Sequence, residues 1–542
     1  MSEPEPLSVD DALERLVNQF SDPMAFFREL IQNALDAGSE EVEVWFERRP
    51  KEGLMVIHVD DWGGGMTREI IETRLTRLFS SSKDGDLTKI GKFGIGFVSV
   101  FAIAPEAVVI DTSREGEHWR ILFDSQRQFS LIKRDEPVEG TKIEIYKRAD
   151  AREYAKFVAR ATEVIGFWCK HVSKEIRVEG ELVNQPFDLD VPCKVRYEHE
   201  GELIVVGHTR DGEAFSGFYN RGLTLAEEGL IPGIAFKASS AKLEHTLTRD
   251  DVVREAGFER LMAQVQELIA TELCAEVFAR LARELGTLEV GATREAIAEH
   301  RYLWRAATHH LAAKHPLPES VGKDPPIFVS PSGATIGLAE LRKPKRRRVF
   351  VAHAGSPVSA LLEGEGATVV WLPERTMSGL ALLEQVAPKV EWVSRWCTAM
   401  PARDPEEATR WRTLSTHVAA LLEGWGAKLG GVALGHLDYA HSAVADRVAI
   451  TQAEFGELTP VEDAGELGTR LFSSRRIVVL NADHPTIKTL GELAMREPEM
   501  AAYLAVKAFF LGNRLDAEVD ETLVGLTHER RARRRELSEA KA

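Results

Sequence analysis

The chain has 542 residues, of which 44% are hydrophobic and 28% charged, with a formal net charge of −17. This is the composition of a soluble globular protein, and the length exceeds a single core, implying about three or four domains. The acidic balance argues against a protein that coats nucleic acid, and Cys169, Cys193, Cys274 and Cys397 are too far apart for a CxxC zinc site.

The cysteine usage suits a reducing compartment. The opening "MSEPEPLSVDD" lacks the basic-then-apolar order of a signal peptide, and no apolar run reaches the ~20 residues that cross a bilayer. A cytoplasmic protein is expected. The first strong element is "FFRELIQNALDAG", Phe26 to Gly38, whose apolar residues recur at helical spacing. Asp22 and Pro23 predict its start and Gly38 its end. Glu29, Asn33 and Asp36 fall four and then three residues apart, so this apolar helix carries a polar stripe.

"EVEVWFE" and "LMVIHVDD" alternate as strands, the second ending in acids. A helical stretch from about Thr67 to Leu78 and a polar run, "SSSKDGDLTK", lead to the glycine-rich "GKFGIGF", read as a loop feeding a helix. The strands "AVVIDTS", "HWRILFD", "FSLIKR" and "TKIEIYK" complete an α/β sandwich over residues 1–150. The helix "AREYAKFVARATEVIGFWCKHV" is expected to open a second region of strands and then helices, and "HPLPESVGKDPPIF" reads as a linker. "VFVAHAG" and "ATVVWLP" flank an apolar segment and predict a βαβ unit after the basic run "RKPKRRR". "RRIVVLNADHP" and the helix "EMAAYLAVKAFFLG" belong to a last region, and the tail "THERRARRRELSEAKA" is expected to be a solvated helix or disordered.

Three pieces of the first region share one chemistry. Asp61 ends an apolar strand in "DDWGGGM", where a carboxylate can accept from an amino group such as that of adenine, and Gly63 and Gly65 let a flat ring approach the backbone. Gly91, Gly94 and Gly96 precede a helix and offer free N–H groups and the positive dipole end to phosphates. Asn33 supplies a neutral oxygen suited to Mg²⁺, and Glu29 a carboxylate to polarise a water. Alone, each piece fits a solvated stripe or an ordinary turn; order and context favour the pocket. A Rossmann site is excluded because the glycines follow a polar loop, and a Walker site because no GxxxxGK[ST] is present.

"RELIQNALDAG", "DDWGGGM", "GKFGIGF" and "EGTKIEIY" resemble, in order, the four nucleotide-binding motifs of the GHKL ATPases, the superfamily of the heat-shock protein 90 chaperones, MutL, type II topoisomerases and sensor histidine kinases. The resemblance implies a Bergerat α/β sandwich that binds ATP with Mg²⁺. It makes Glu29 the general base, Asn33 the Mg²⁺ ligand, Asp61 the adenine reader and Thr141 its support, with Asp36 shaping the pocket. Gly63, Gly65 and Met66 would line the base. Gly91, Phe93, Gly94, Ile95 and Gly96 would meet the phosphates, and Phe97 the adenine or ribose. Residues from about Thr67 to Lys89 would form a lid, with Lys83 a phosphate contact.

"SGFYNRGLTLAE" and "LEHTLTRDDV" resemble the middle domain of the heat-shock protein 90 family, and Arg249 matches its γ-phosphate arginine. "RRIVVLNADHPTIKTL" resembles a C-terminal segment of bacterial HtpG-type members. The implied organisation is an α/β (α+β) chain. It has a nucleotide-binding domain at 1–150, a middle domain at 151–400 (subdomains 151–290 and 325–400), a dimerisation-like domain at 401–520 and a charged tail at 521–542. The implied function is a chaperone that hydrolyses ATP slowly and closes on client proteins as a homodimer. The alternative is a DNA-directed ATPase related to MutL, topoisomerases or MORC proteins, supported by the basic runs Arg342–Arg348 and Arg530–Arg535. A histidine kinase would need a phospho-accepting helical hairpin before the ATPase region, where only about 20 residues stand.

Overall fold

The computed structural model describes residues 22–76, 95–244, 246, 252–288, 291–317, 319–322, 324–460, 467–468, 474–511, 513 and 515–540. Lys83, Gly91, Phe93, Gly94 and Arg249 lie outside the described residues, as does most of the expected lid, and nothing is described of the Ile95 side chain. The chain divides into two compact units, residues 1–273 and 274–542.

In the first unit, local sequence sets the opening helix. The Asp22 carboxylate accepts from Met24 N at 2.8 Å, and a 3₁₀ turn at Pro23–Ala25 runs into helix α1, Phe26–Asp36. At the other end Gly38 takes φ +82°, with Gly38 N donating to Leu35 O and Ser39 N to Ala34 O. This is the left-handed closure that glycine permits without a Cβ penalty. Strands β1 (Glu41–Arg49) and β2 (Leu54–Asp61) follow, then a short helix α2 (Ile95–Val98). Strands β3 (Ala107–Arg114), β4 (Glu117–Asp124), β5 (Phe129–Lys133) and β6 (Thr141–Arg148) come next, then helix α3 (Ala151–Cys169) and strands β7 (Glu175–Val178) and β8 (Glu181–Leu182).

These strands form one sheet in the order β5-β4-β3-β6-β2-β1-β7-β8, antiparallel except where β7 runs parallel to β1. Phe26, Phe27, Leu30 and Ile31 of α1 share a core with Val44, Ile57, Ile110 and Ile145 of the sheet and with Phe157, Ala161, Ile165 and Cys169 of α3. The sandwich therefore runs past the expected boundary at 150. The apolar stripe of α3 recurs every four residues and covers the same sheet, and the strands after it extend that sheet's edge to Leu182.

A second sheet, in the order β12-β11-β13-β10-β9, follows in the same unit. Its strands are β9 (Lys194–His199), β10 (Glu202–His208), β11 (Phe215–Asn220), β12 (Leu223–Glu228) and β13 (Ile234–Ser239). Two of its connections are tight hairpins. They turn at Glu200–Gly201 and Arg221–Gly222, where all four residues have positive φ, as the favoured two-residue turn requires. Helix α4 (Ala256–Leu268) packs on this sheet through Leu261, Val265 and Leu268.

The second unit begins with helices α5 (Cys274–Glu284) and α6 (Arg294–Ala312) and a two-stranded sheet of β14 (Pro326–Val329) and β15 (Thr335–Gly337). The expected βαβ unit is present. β16 (Val349–Ala352), helix α7 (Pro357–Gly364) and β17 (Thr368–Trp371) give a parallel pair, and β18 (Val390–Trp392) adds on the other side of β16. Helix α8 (Pro405–Trp425) precedes a sheet of β19 (Leu429–Gly435), β20 (Ala449–Gln452) and β21 (Arg476–Asn481), in the order β19-β21-β20. Helices α9 (Pro485–Ala494), α10 (Pro498–Phe510) and α11 (Ala517–Glu539) complete it.

Of the two states expected for the tail it takes the helical one: α11 is exposed over residues 532–540 and docks along its N-terminal half. Asp516 caps it, Leu523 and Thr527 are buried, Arg531 pairs with Glu497 at 3.0 Å and Arg534 with Glu499 at 2.8 Å. The other basic run is likewise engaged: Arg346 pairs with Glu365, and Arg348 with Glu391 at 3.2 Å. All four cysteines are buried thiols. Among the described residues no helix is long and apolar enough to cross a membrane.

Candidate functional site

Helix α1 is the shared edge of the candidate site. Glu29 sits in the first turn and is buried, while Asn33 and Asp36, one and two turns later, are exposed. The polar stripe thus runs from the interior to the surface. Gly96, at the start of α2, lies against Glu29: a Cβ built there would stand 2.4 Å from Oε2. Only glycine lets that backbone meet the carboxylate so closely.

At the other end of α1, the loop after β2 is pinned by hydrogen bonds. Trp62 N donates to Ser39 Oγ and Gly64 N to Ala37 O, both at 2.9 Å. Gly63 packs against Ala37, where a Cβ would meet that residue's Cβ at 3.0 Å. Gly65 has φ +61°, and a Cβ there would lie 2.1 Å from Ser113 O, so no other residue fits without moving β3. Met66 N donates to Thr112 Oγ1 at 2.9 Å.

Asp61 is the buried carboxylate of this loop. Its Oδ1 accepts from Gly63 N at 2.8 Å, and Thr141 is its register partner on β6. Burial pushes its carboxyl pKa up, and the Gly63 N–H opposes that only in part. Thr141 is buried beside Thr112, with their hydroxyls 3.2 Å apart. A dry carboxylate held by a backbone donor, with glycines on one side, is chemically suited to accept hydrogen bonds from an amino-bearing planar ring.

The structure thus brings Glu29 to Gly96, and Asp61 to Gly63 and Thr141, along the two ends of one helix. Phe97 is buried in the sandwich core against Phe101 and Phe123, with ring centroids 6.2 and 5.3 Å away, because it faces inward from α2. Asp36 forms a 3.5 Å ion pair with Arg221, at the tip of the β11–β12 hairpin. Sequence reasoning missed Ser39, Thr112 and Arg221. Thr112 had a signal: it continues the inward positions of Val108 and Ile110 on β3, where a polar residue needs a partner.

With this geometry, the kinship of the segment is decisive. Residues 25–152 match the family model of histidine kinase-, DNA gyrase B-, and HSP90-like ATPases. The chain is 29% identical over 196 residues to the chaperone protein HtpG of Methylobacterium nodulans, covering 30% of this chain and 31% of that protein. It is 31% identical over 170 residues to the HtpG of Nitrobacter hamburgensis, covering 25% and 27%. The resemblance to the heat-shock protein 90 family holds. It reaches beyond bacteria: the mitochondrial heat shock protein 75 kDa of Bos taurus is 28% identical over 193 residues, 30% of this chain and 27% of that protein. The chain spans less than a third of the length of these curated relatives. The segment that matches the family model contains Glu29, Asn33, Asp61 and Thr141 together.

Proposed function

We propose that the chain is an ATP-dependent chaperone of the heat-shock protein 90/HtpG type. The observation that carries the reading is Asp61: a buried carboxylate at a strand end, bonded by Gly63 N–H and in register with Thr141, inside the segment that matches the ATPase family model. In this reading Asp61 accepts from the adenine amino group, and Gly63, Gly65 and Met66 form the wall beneath the ring. Glu29 takes the proton of the attacking water, and its burial keeps bulk water from competing for that carboxylate. Asn33 would hold Mg²⁺, which supplies charge to the phosphates when bound. Gly96 and its neighbours offer N–H groups to the phosphates, and Arg249 is assigned to the γ-phosphate on its sequence match alone.

The nucleotide then favours a closed state only through contacts absent when the chain is open. Slow hydrolysis to ADP and phosphate resets it. Partly folded client proteins, a homodimer and a cytoplasmic location complete the proposal. The rival DNA-directed reading leans on the basic runs, but Arg346, Arg348, Arg531 and Arg534 are already paired with carboxylates. The test is nucleotide binding and turnover by the wild type beside Glu29→Ala and Asp61→Asn, with aggregation of an unfolding protein as a second readout. Normal ATP binding by Asp61→Asn would overturn the pocket, and DNA-stimulated turnover would overturn the chaperone assignment.

A further inference from the structure

Outside the nucleotide segment, we propose that Lys237 is an activated amine, a modification site that takes an acyl group from a thioester or an acyl phosphate. Lys237 lies on β13, on the face of the second sheet opposite the one that Phe236 presents to the α4 core. Its Nζ stands 3.0 Å from His171 Nε2. His171 is buried, and its Nδ1 stands 3.1 Å from Gln185 O. A carbonyl can only accept, so Nδ1 carries the imidazole proton and Nε2 offers its lone pair to the amine. Phe187 and Tyr219 stand edge-on to the imidazole, with ring centroids 5.2 and 5.1 Å away. Gly217, the register partner of Lys237 on β11, leaves room for the tyrosine, since a Cβ there would meet Tyr219 Oη.

The amine is set apart by the partner it lacks. Among the described residues Lys237 has a neutral imidazole within hydrogen-bond reach and no carboxylate. The acids near it are committed elsewhere. Glu227 is held by Lys170 at 2.7 Å and by Tyr219 Oη at 2.6 Å, and Asp188 by Lys194 at 2.6 Å. Burial, helped by the like charge of Lys170, therefore holds the Lys237 pKa below the ordinary lysine range, and Glu227 and Asp188 oppose that only in part. Burial also takes the His171 imidazole down to about 4, so it stays a neutral acceptor.

The chemistry follows from these neighbours. The ammonium first loses a proton to solvent. The amine lone pair then attacks the acyl carbon and a C–N bond forms. The C–S or C–O bond breaks, thiolate or phosphate leaves with the electron pair, and a second proton passes from nitrogen to solvent. His171 is a positioning residue throughout: it holds one N–H of the amine, and the amide N–H of the product donates to the same Nε2. A neutral amide replaces a half-buried charge that has no counter-ion, which favours acyl transfer over an anionic adduct such as a carbamate. Lys237 is half-buried while Gln185 and Asp188 are exposed, so the donor approaches from that rim.

The experiment treats the full chain with acetyl phosphate, and separately with acetyl-coenzyme A, across a range from neutral to alkaline pH, and follows acetylation of each lysine by mass spectrometry. Near neutral pH Lys237 is expected to react at least ~5-fold faster than the exposed Lys51, and its rate should level off at lower pH. Fast reaction with only one donor supports the site and names the leaving group. His171→Gln keeps a neutral acceptor and should keep the fast reaction. His171→Glu sets a carboxylate beside the amine and should slow Lys237 to the rate of Lys51 or below. Equal rates and a shared pH profile for Lys237 and Lys51 in the wild type would overturn the proposal. So would wild-type reactivity in His171→Glu with an unchanged circular dichroism spectrum. The wild-type profile decides the matter even where a variant fails to fold, and none of these readouts depends on nucleotide turnover.

Discussion

Replacing Gly96 with alanine separates stability from chemistry at this site. An alanine Cβ would stand 2.4 Å from Glu29 Oε2 and 3.3 Å from its Cδ, closer than carbon and oxygen tolerate. The carboxylate must retreat by about 1 Å, and a displacement of that size at a reacting group costs on the order of 10²-fold in rate. The carboxylate lies at the end of a flexible side chain, but Glu29 is buried, so its escape routes are few. Backbone propensity acts in the opposite direction, since alanine is better than glycine in a helix by up to ~1 kcal/mol. Gly96→Ala is therefore expected to keep its melting temperature within a few degrees and to bind nucleotide. Its steady-state phosphate release should fall by roughly 10²-fold. Adding Glu29→Ala removes the clash, so the pair should be no slower than Glu29→Ala alone. Wild-type turnover by Gly96→Ala would refute the placement of Glu29 against this turn.

Asp61→Asn should lose about 1.5–3 kcal/mol of nucleotide affinity, the range for a hydrogen bond to a charged group, read by calorimetry with ADP. The same variant should melt higher at neutral pH. Burial raises the Asp61 pKa, so the stability linked to its neutral form is present below the ordinary carboxylate pKa and lost as pH rises through the folded value. The gain over wild type should vanish in acid; a lower melting temperature at pH 7 would count against a costly buried charge. In the second unit, His436 is wedged between Asp483 at 2.7 Å and Glu407 at 3.0 Å. His436→Ala should cost about 1.5–3 kcal/mol by chemical denaturation, because it removes hydrogen bonds to two half-buried carboxylates; a loss under ~0.5 kcal/mol would show that water replaces them. Burial acts to raise both carboxyl pKa values, but the His436 contacts and backbone donors outweigh it and hold them low. Their contribution should be complete above the ordinary carboxylate pKa values and fade as pH falls below them. Thr112→Val should cost about 1–3 kcal/mol in thermal unfolding by leaving Met66 N without its buried acceptor.

What the sequence made legible follows the range of the interactions involved. Helix α1 could be bounded because its cap, proline and stop glycine act within four residues, and the hydrogen bonds of Asp22 and Gly38 are of that kind. Asp61 could be singled out because an apolar strand ending in an acid is visible locally. The place of α3 and β7 could not, since Glu41 meets Glu175 across more than a hundred residues and a parallel pairing leaves no turn signal. The same limit hid the docking of α11. Its arginines read as a solvated run until Glu497 and Glu499, more than thirty residues earlier, are placed beside them. The packing of Phe97 was hidden for a different reason: a residue beside a glycine turn can face either way, and its neighbour Phe123 lies on a strand that sequence spacing does not place beside it.

The polar stripe of α1 spans two surroundings. Its buried end, Glu29, is held against α2, and its exposed end, Asp36, is held by Arg221 from a hairpin of the second sheet. Arg221 occupies a left-handed turn position that glycine or asparagine fills more cheaply, and Gly222 beside it has its backbone against His171 O. Thr224 Oγ1 donates to Phe167 O, and Leu223 enters the sandwich core, so the hairpin tip is fixed on the nucleotide-binding layer. An exposed pair such as Asp36–Arg221 stabilises by ~1 kcal/mol at most, so its value lies in where it sits. One helix therefore touches the glycine turn at Gly96 at one end and the next sheet at the other. A shift of α1 on nucleotide binding would reach both through rigid contacts, with no need for a longer path.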